Sequence, residues 1–335
     1  MHMTVPQATP SEPISTIETK QEILSIVVPA YNEELVIAEF HRRISAVLDE
    51  INLPAEIIYI NDGSKDKTSY ILLELRKKDP RISLIELSRN FGKEIAMTAG
   101  LNYSKGSAVV VIDADLQDPP ELITELIERW REGYDVVYAK RSSREGETYL
   151  KKTTSYLFYR VIKKLNRVDI PSDTGDFRLL SRRAVEAINL LPEQHRFMKG
   201  LFAWIGFRQI AVNYRRDIRF AGESKWNYWT LWLLALEGIT SFTIAPLKIA
   251  SYVGISVAFG AFIYAIWIIY KTLTFGDPIA GFPTLITIIL FLGGLQLLTL
   301  GIIGEYLGRM FNESKRRPLY LVQDYFISNI KDPNS

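Results

Sequence analysis

The sequence predicts an α/β domain on a mostly parallel sheet, followed by interfacial amphipathic helices and two C-terminal transmembrane helices. Three observations carry this. Short apolar runs alternate with helix-like patterns between about residues 23 and 220, the arrangement of strands and crossover helices in a parallel sheet. Several of those runs are continuously apolar, as strands covered on both faces are. Two later stretches, residues 249–270 and 282–303, hold no charged residue and are long enough to span a bilayer as helices.

The first strand, residues 24–28, leads into Pro29-Ala30-Tyr31-Asn32-Glu33. A helix follows, with Leu35, Phe40, Ile44, Val47 and Leu48 on its apolar side. The second strand, residues 57–60, ends in Asn61-Asp62-Gly63-Ser64, and Ser64 or Asp66 is placed to cap the next helix. The third, Ile82–Leu87, ends in Arg89-Asn90-Phe91-Gly92-Lys93. The fourth, residues 109–112, ends in Asp113-Ala114-Asp115-Leu116-Gln117-Asp118-Pro119-Pro120, and a fifth ends at Arg141. Ligands of such sheets bind outside the carboxyl ends of the strands, so four polar clusters in register there read as a ligand site. Neither G-x-G-x-x-G nor a P-loop is present, which disfavours a dinucleotide dehydrogenase or a P-loop phosphotransferase. Asp113 and Asp115 are two hard oxygen donors beside open space, which suits Mg²⁺ or Mn²⁺ shared with substrate phosphates. Asp and Pro also end strands for local reasons, so the spacing alone leaves a solvated turn open.

The 40 Lys and Arg nearly balance the 38 Asp and Glu, giving a formal net charge of +2. That is no footprint for nucleic-acid binding. The chain has no cysteine, which excludes disulfides, thiolate metal sites and cysteine nucleophiles. His2, His41 and His195 have no zinc-ligand spacing. Residues 1–22 are polar, with Pro6, Pro10 and Pro13. They are expected to be disordered and lack the basic start and apolar core of a signal peptide.

Lys248 precedes the first apolar stretch, and Arg309, Lys315, Arg316 and Arg317 follow the second. The positive-inside rule then puts the catalytic domain and both termini in the cytoplasm, on a multi-pass cytoplasmic-membrane anchor. Lys271 falls on the other side, where its stem lets it snorkel. Tyr228, Trp229 and Trp232, with Glu237, suit an interfacial helix, although a core helix of the soluble domain has the same pattern. Pro246 offers a bend before the first span. The organisation expected is a tail (1–22), a catalytic domain (23–225), a juxtamembrane segment (226–246), a two-helix anchor (247–307) and a cytoplasmic C-terminal tail (308–335). Gly293, Gly294, Gly301 and Gly304 permit close helix packing, against the first span or in a homo-oligomer.

The four strand-end motifs, in this order and with this anchor, resemble the family 2 glycosyltransferases of GT-A fold. More narrowly they resemble the polyprenyl-phosphate hexosyltransferases, a group that includes dolichyl-phosphate mannose synthases and bacterial undecaprenyl-phosphate glucosyltransferases. The resemblance covers nearly everything after the N-terminal tail. It implies that Pro29, Tyr31, Glu33 and Asp62 cradle the donor nucleotide, with Tyr31 against the base and Asp62 accepting from a uracil N–H. Asp113 would lie near ribose and metal, while Asp115 and Gln117 hold Mg²⁺ or Mn²⁺ on the diphosphate. Lys93 is a nucleotide contact on this reading, or a solvated lysine at a helix start.

Downstream, Ser172-Asp173-Thr174-Gly175-Asp176-Phe177-Arg178 resembles the family's acceptor-side motif. Asp176 is then the candidate base and Arg178 a phosphate contact, or the two form a pair bracing a strand. Tyr214-Arg215-Arg216-Asp217-Ile218-Arg219, running to Gly222-Glu223-Ser224-Lys225, resembles the family's arginine-rich stretch before the membrane. Arg216, Arg219 and Lys225, joined by Arg141, would hold the lipid phosphate, as arginine suits bidentate phosphate contacts. General attraction to anionic headgroups is the other reading.

The implied reaction is inverting transfer of one hexose, glucose from UDP-glucose, to undecaprenyl phosphate. Mannose or a modified arabinose is the alternative donor sugar, and a non-catalytic nucleotide-sugar-binding membrane protein the alternative outside enzymes. A phosphate monoester has a second pKa of about 6, so this acceptor is already nucleophilic at neutral pH. Asp176 is therefore expected to orient groups rather than remove a proton.

Overall fold

The computed structural model describes residues 22–51, 53–141, 174–194, 196–214, 245–275 and 281–328. The expected N-terminal tail, the juxtamembrane aromatic segment and His195 lie outside them.

Among the described residues, eight strands form one sheet: β1 (Leu24–Ala30), β2 (Ala55–Asn61), β3 (Ile82–Leu87), β4 (Ala108–Val111), β5 (Val136–Arg141), β6 (Thr174–Ser181), β7 (Gln209–Tyr214) and β8 (Val322–Phe326). Their order is β7-β5-β6-β4-β1-β2-β3-β8. The centre, β4-β1-β2-β3, is parallel, as the apolar runs predict. β6 enters antiparallel between β4 and β5. Alternate side chains of the strands point to opposite faces, so the sheet carries two apolar layers. Ile26, Val28 and Phe177 face one layer, with α1 (Ile37–Glu50), α2 (Thr68–Lys78) and α4 (Ile123–Arg131). Val27, Ile60 and Leu180 face the other, with α3 (Lys93–Tyr103), α5 (Arg182–Asn189) and α6 (Met198–Trp204).

α1 buries Ile37, Phe40, His41, Ile44, Val47 and Leu48. Leu35 does not join them. It precedes the helix and is 72% exposed, because residues 32–34 are bound to the loop after β2 and the helix starts only at Ile37. Lys67, not Ser64 or Asp66, is the N-cap of α2 and gives no side-chain cap bond; Asp66, one residue earlier, accepts from Thr68 N at 3.0 Å in a local turn. His41 is a core residue, its Nδ1 3.1 Å from Tyr59 Oη.

α3 lies so close to the sheet that a Cβ on Gly100 would stand 2.3 Å from Val27 Cγ1 and 2.7 Å from Ile60 Cδ1. Both neighbours are fully buried and cannot swing away. Gly100→Ala is expected to cost about 1–3 kcal/mol by overpacking. Denaturant unfolding of the variant measures this, and an unchanged midpoint would refute the close approach.

Two long helices follow, α7 (Ala245–Phe275) and α8 (Phe282–Ser314). Both are long and apolar enough to cross a membrane, and at 1.5 Å per residue each runs to about 45–50 Å. Phe259, Phe262, Leu297 and Leu298 are all more than 60% exposed, an apolar surface that water does not tolerate at this extent. Lys271 lies 5.5 Å above the ring of Trp267, an amphipathic pairing typical of a membrane interface.

The boundary expected at residue 307 falls inside α8, which continues to Ser314. The C-terminal segment then rejoins the catalytic domain. β8 pairs antiparallel with β3, Tyr325 packs on Tyr103 at 4.7 Å, and Asn102 donates to Tyr320 Oη at 3.0 Å. An open β3 edge needs a partner, which periodicity in a five-residue stretch could not reveal.

Candidate active site

The carboxyl ends of β1, β2 and β3 are bound to one another by their loops. Asn32, at φ 54°, turns the chain after β1 in a conformation that asparagine tolerates. Its amide donates to Ser64 Oγ at 3.0 Å, and its Oδ1 accepts from Lys65 N at 2.8 Å. Glu33 N donates to Thr68 Oγ1 at 2.8 Å. Pro29 sits within β1 on the side that faces β4, beyond the last β1–β4 bridge. Ala30 O accepts from β2's side, while residues 27 and 29 face β4, whose last bridge is at Val27. Tyr31 and Glu33 follow, half-buried on this loop.

Asp62 is 2% exposed. Its oxygens accept from Phe91 N at 2.7 Å and Gly92 N at 2.9 Å. Burial raises its pKa and those amides oppose the rise. The carboxylate thus ties the loop after β3 to the end of β2. Gly63, at φ +65°, makes this possible, since a Cβ there would lie 2.5 Å from the Arg89 carbonyl carbon.

Asp113 and Asp176 meet by register. Val111 lies opposite Arg178, and two further antiparallel steps bring Asp113 opposite Asp176. The Lys93 ammonium, at the start of α3, donates to both: to Asp113 Oδ2 at 2.7 Å, and to Asp176 Oδ2. Burial would lower the Lys93 pKa, but the two carboxylates reverse this and hold it above its ordinary value. Burial would raise Asp176, but Lys93, Lys199 and Arg178 hold it well below the carboxylate range. Burial raises Asp113 against the pull of Lys93.

Asp113, Asp115 and Gln117 are half-exposed and alternate with buried Ala114, Leu116 and Asp118. Leu116 holds this alternation in a left-handed conformation, φ 59°, a strain that persists where the surroundings enforce it. Asp115 Oδ1 accepts from Gln117 N at 3.1 Å. Among the described residues no three His, Cys, Asp or Glu side chains form a metal cage. The two aspartates and Gln117 instead suit a hard cation that completes its shell with water and phosphate oxygens. Asp113 already draws a cation, the Lys93 ammonium, to its carboxylate.

The glycosyl transferase family 2 model matches residues 25–188, and the GtrB C-terminal hairpin model matches residues 245–310. An uncharacterized glycosyltransferase of Synechocystis sp. is 54% identical over 301 residues, 90% of this chain and 95% of that one. The chain belongs to glycosyl transferase family 2. The glycosyltransferase is also 48% identical, over 301 residues, to the bactoprenol glucosyl transferase of Shigella phage SfV, covering 90% of this chain and 98% of that one. Among solved structures it is similar to glucosyl-3-phosphoglycerate synthase from Mycobacterium tuberculosis in complex with Mn²⁺, UDP-glucose and phosphoglyceric acid. The TM-score is 0.45 at 23% identity, over 65% of this chain and 78% of that one.

Of the residues that the sequence reading assigns to the acceptor side, Asp176 and Arg178 share one face of β6. Arg178 is 4% exposed. Its guanidinium donates to Gly175 O at 2.9 Å and lies 3.9 Å above the Phe202 ring. Burial lowers its pKa to about 10. Arg141 ends β5, opposite Tyr214 at the end of β7. Arg216, Arg219 and Lys225 lie outside the described residues.

The sequence reading missed Glu94. It neighbours Lys93 and accepts from Met198 N, at the start of α6, at 3.0 Å. Burial, then Asp176, push its pKa up to about 7. A carboxyl raised in the folded state stabilises the fold while neutral and loses that contribution as pH rises through about 7. Glu94→Gln is therefore expected to remove about 1 kcal/mol of the stability lost between roughly pH 6 and 8. Thermal unfolding at the two pH values measures it, and a decline parallel to the parent's would show that another group titrates.

Proposed function

We propose that this glycosyltransferase moves one glucose from UDP-glucose to undecaprenyl phosphate, with inversion, at the cytoplasmic face of the membrane. One observation carries the reading: Lys93 joins Asp113, on the donor motif, to Asp176, on the acceptor-side motif. The site thus brings both substrates' motifs to one point, in a chain with a membrane hairpin and a relative named for glucosyl transfer to bactoprenol.

In this reading Tyr31 and Glu33 line the nucleotide, and Asp62 shapes its pocket through the 91–92 loop. Asp113, Asp115 and Gln117 hold Mg²⁺ or Mn²⁺. When bound, the ion offsets the charge of the departing diphosphate. A phosphate oxygen of the acceptor attacks the anomeric carbon, and the bond to UDP breaks with its electron pair leaving on UDP. The dianionic acceptor has no proton to lose. Asp176, anionic and a weak base, orients Lys93, and Arg178 fixes the strand beneath it. Arg141, Arg216, Arg219 and Lys225 receive the lipid phosphate.

Incubation with UDP-[¹⁴C]glucose, undecaprenyl phosphate and Mg²⁺ or Mn²⁺ is expected to put label in the lipid fraction. Label only with a mannose or arabinose donor would change the sugar. Metal-dependent UDP binding without transfer from any donor would make the chain a sensor.

A further inference from the structure

Lys199 belongs to none of the strand-end motifs. It is the second residue of α6 and half-buried. α6 is held at the site by two contacts. Met198 N donates to Glu94 Oε2 at 3.0 Å, beside Lys93. The Arg178 guanidinium, on the strand that carries Asp176, lies 3.9 Å above the Phe202 ring. Lys199 sits between Met198 and Phe202 on this one short helix. It acts electrostatically on both Asp176 and Glu94, yet among the described residues its ammonium has no hydrogen bond or ion pair. Lys93 differs, because its charge is shared between Asp113 and Asp176. The uncommitted positive charge beside Asp176 therefore rests on Lys199. A half-buried charge without a counter-charge is costly to keep, and an anionic ligand would supply one.

The chain just before α6 touches the end of the apolar hairpin. Gln194 N donates to Glu313 Oε1 at 2.8 Å, and the Gln194 side chain donates to Arg317 O at 2.7 Å. Glu313 is in the last turn of α8, and Arg317 lies just beyond it. Gln194 and Lys199 thus tie the end of the second apolar helix to the surroundings of Asp176. An anion carried on a lipid arrives from that helix end, whereas the donor diphosphate belongs to the 113–117 loop.

We propose that Lys199 binds the phosphate of the lipid acceptor as a point charge beside Asp176. The inference rests on the proposed transfer reaction.

Lys199→Met keeps the length of the side chain and removes its charge. In the full-length protein it is expected to raise the acceptor KM about tenfold to a hundredfold, the size of one lost hydrogen bond to a charged group. The KM for UDP-glucose is expected to stay within about twofold, and Lys199→Arg to recover most of the loss. Binding of undecaprenyl phosphate in detergent, measured without donor, is expected to weaken by the same factor. Undecaprenol, which has the lipid chain without the phosphate, is expected to bind parent and variant alike. An unchanged acceptor KM would overturn the assignment. So would a rise in the UDP-glucose KM in its place, which would make the phosphate the donor's. Equal losses for undecaprenol and undecaprenyl phosphate would reduce Lys199 to a packing role. If Lys199→Met fails to fold, Lys199→Gln carries the same test. If the parent transfers no sugar from any donor, the reaction reading fails, and the lipid-binding measurement still decides whether Lys199 holds the phosphate.

Discussion

Asp176→Asn is expected to slow glucosyl transfer by about a thousandfold while leaving UDP and acceptor affinities nearly unchanged, a loss typical of one preorganised electrostatic group. The side chain keeps its shape but no longer anchors the Lys93 ammonium, which then has Asp113 alone. The pH profile separates orientation from base catalysis. Lys93, Lys199 and Arg178 hold Asp176 far below the ordinary carboxylate range, so it stays anionic as pH falls, and its titration adds no limb near neutrality. The acid limb of kcat/KM then holds no Asp176 component; the acceptor's second ionisation, at about pH 6 for a phosphate monoester, and Glu94, which burial and Asp176 push up to about 7, fall in its range. Recovery of the variant's rate at high pH would instead identify Asp176 as the base.

Chelation is expected to abolish transfer, with Mn²⁺ or Mg²⁺ restoring it. Asp115→Asn is expected to raise the half-saturating metal concentration about a hundredfold and to lower kcat about a thousandfold, since the ion's stabilisation of a departing diphosphate is worth several kcal/mol. Asp115 has the stronger claim to that role, because Asp113 is shared with Lys93. Asp113→Asn should therefore add a second defect, a Lys93 less firmly placed. Full transfer in EDTA, or an Asp115→Asn variant with parental metal dependence, would remove the ion from the reaction.

The strands, their order of appearance and their polar ends were legible because apolar runs and turn residues are local signals. Asp113 and Asp115 could be placed at the end of β4 for the same reason. The Lys93 bridge was not legible. It depends on β6 entering antiparallel beside β4, and the register that sets Asp176 against Asp113 joins segments about 60 residues apart. Asp62 shows the converse. Its position at a strand end was readable, but the direction of its carboxylate was set by two backbone amides of a later loop. Lys199 carried no local signal, and only the packing of α6 on α3 and β6 brings it beside Asp176.

The pairing of β8 with β3 has a topological consequence. The sheet takes strands from both sides of the hydrophobic hairpin, so residues 322–326 must lie in the same compartment as residues 24–214. A chain that leaves a compartment and returns to it crosses the membrane an even number of times. This parity is independent of the lysines and arginines flanking the helices. With the two long helices in a bilayer, as proposed, an added or deleted span would strand β8 across it from its partner and leave β3 as an open edge, whatever the charges prefer.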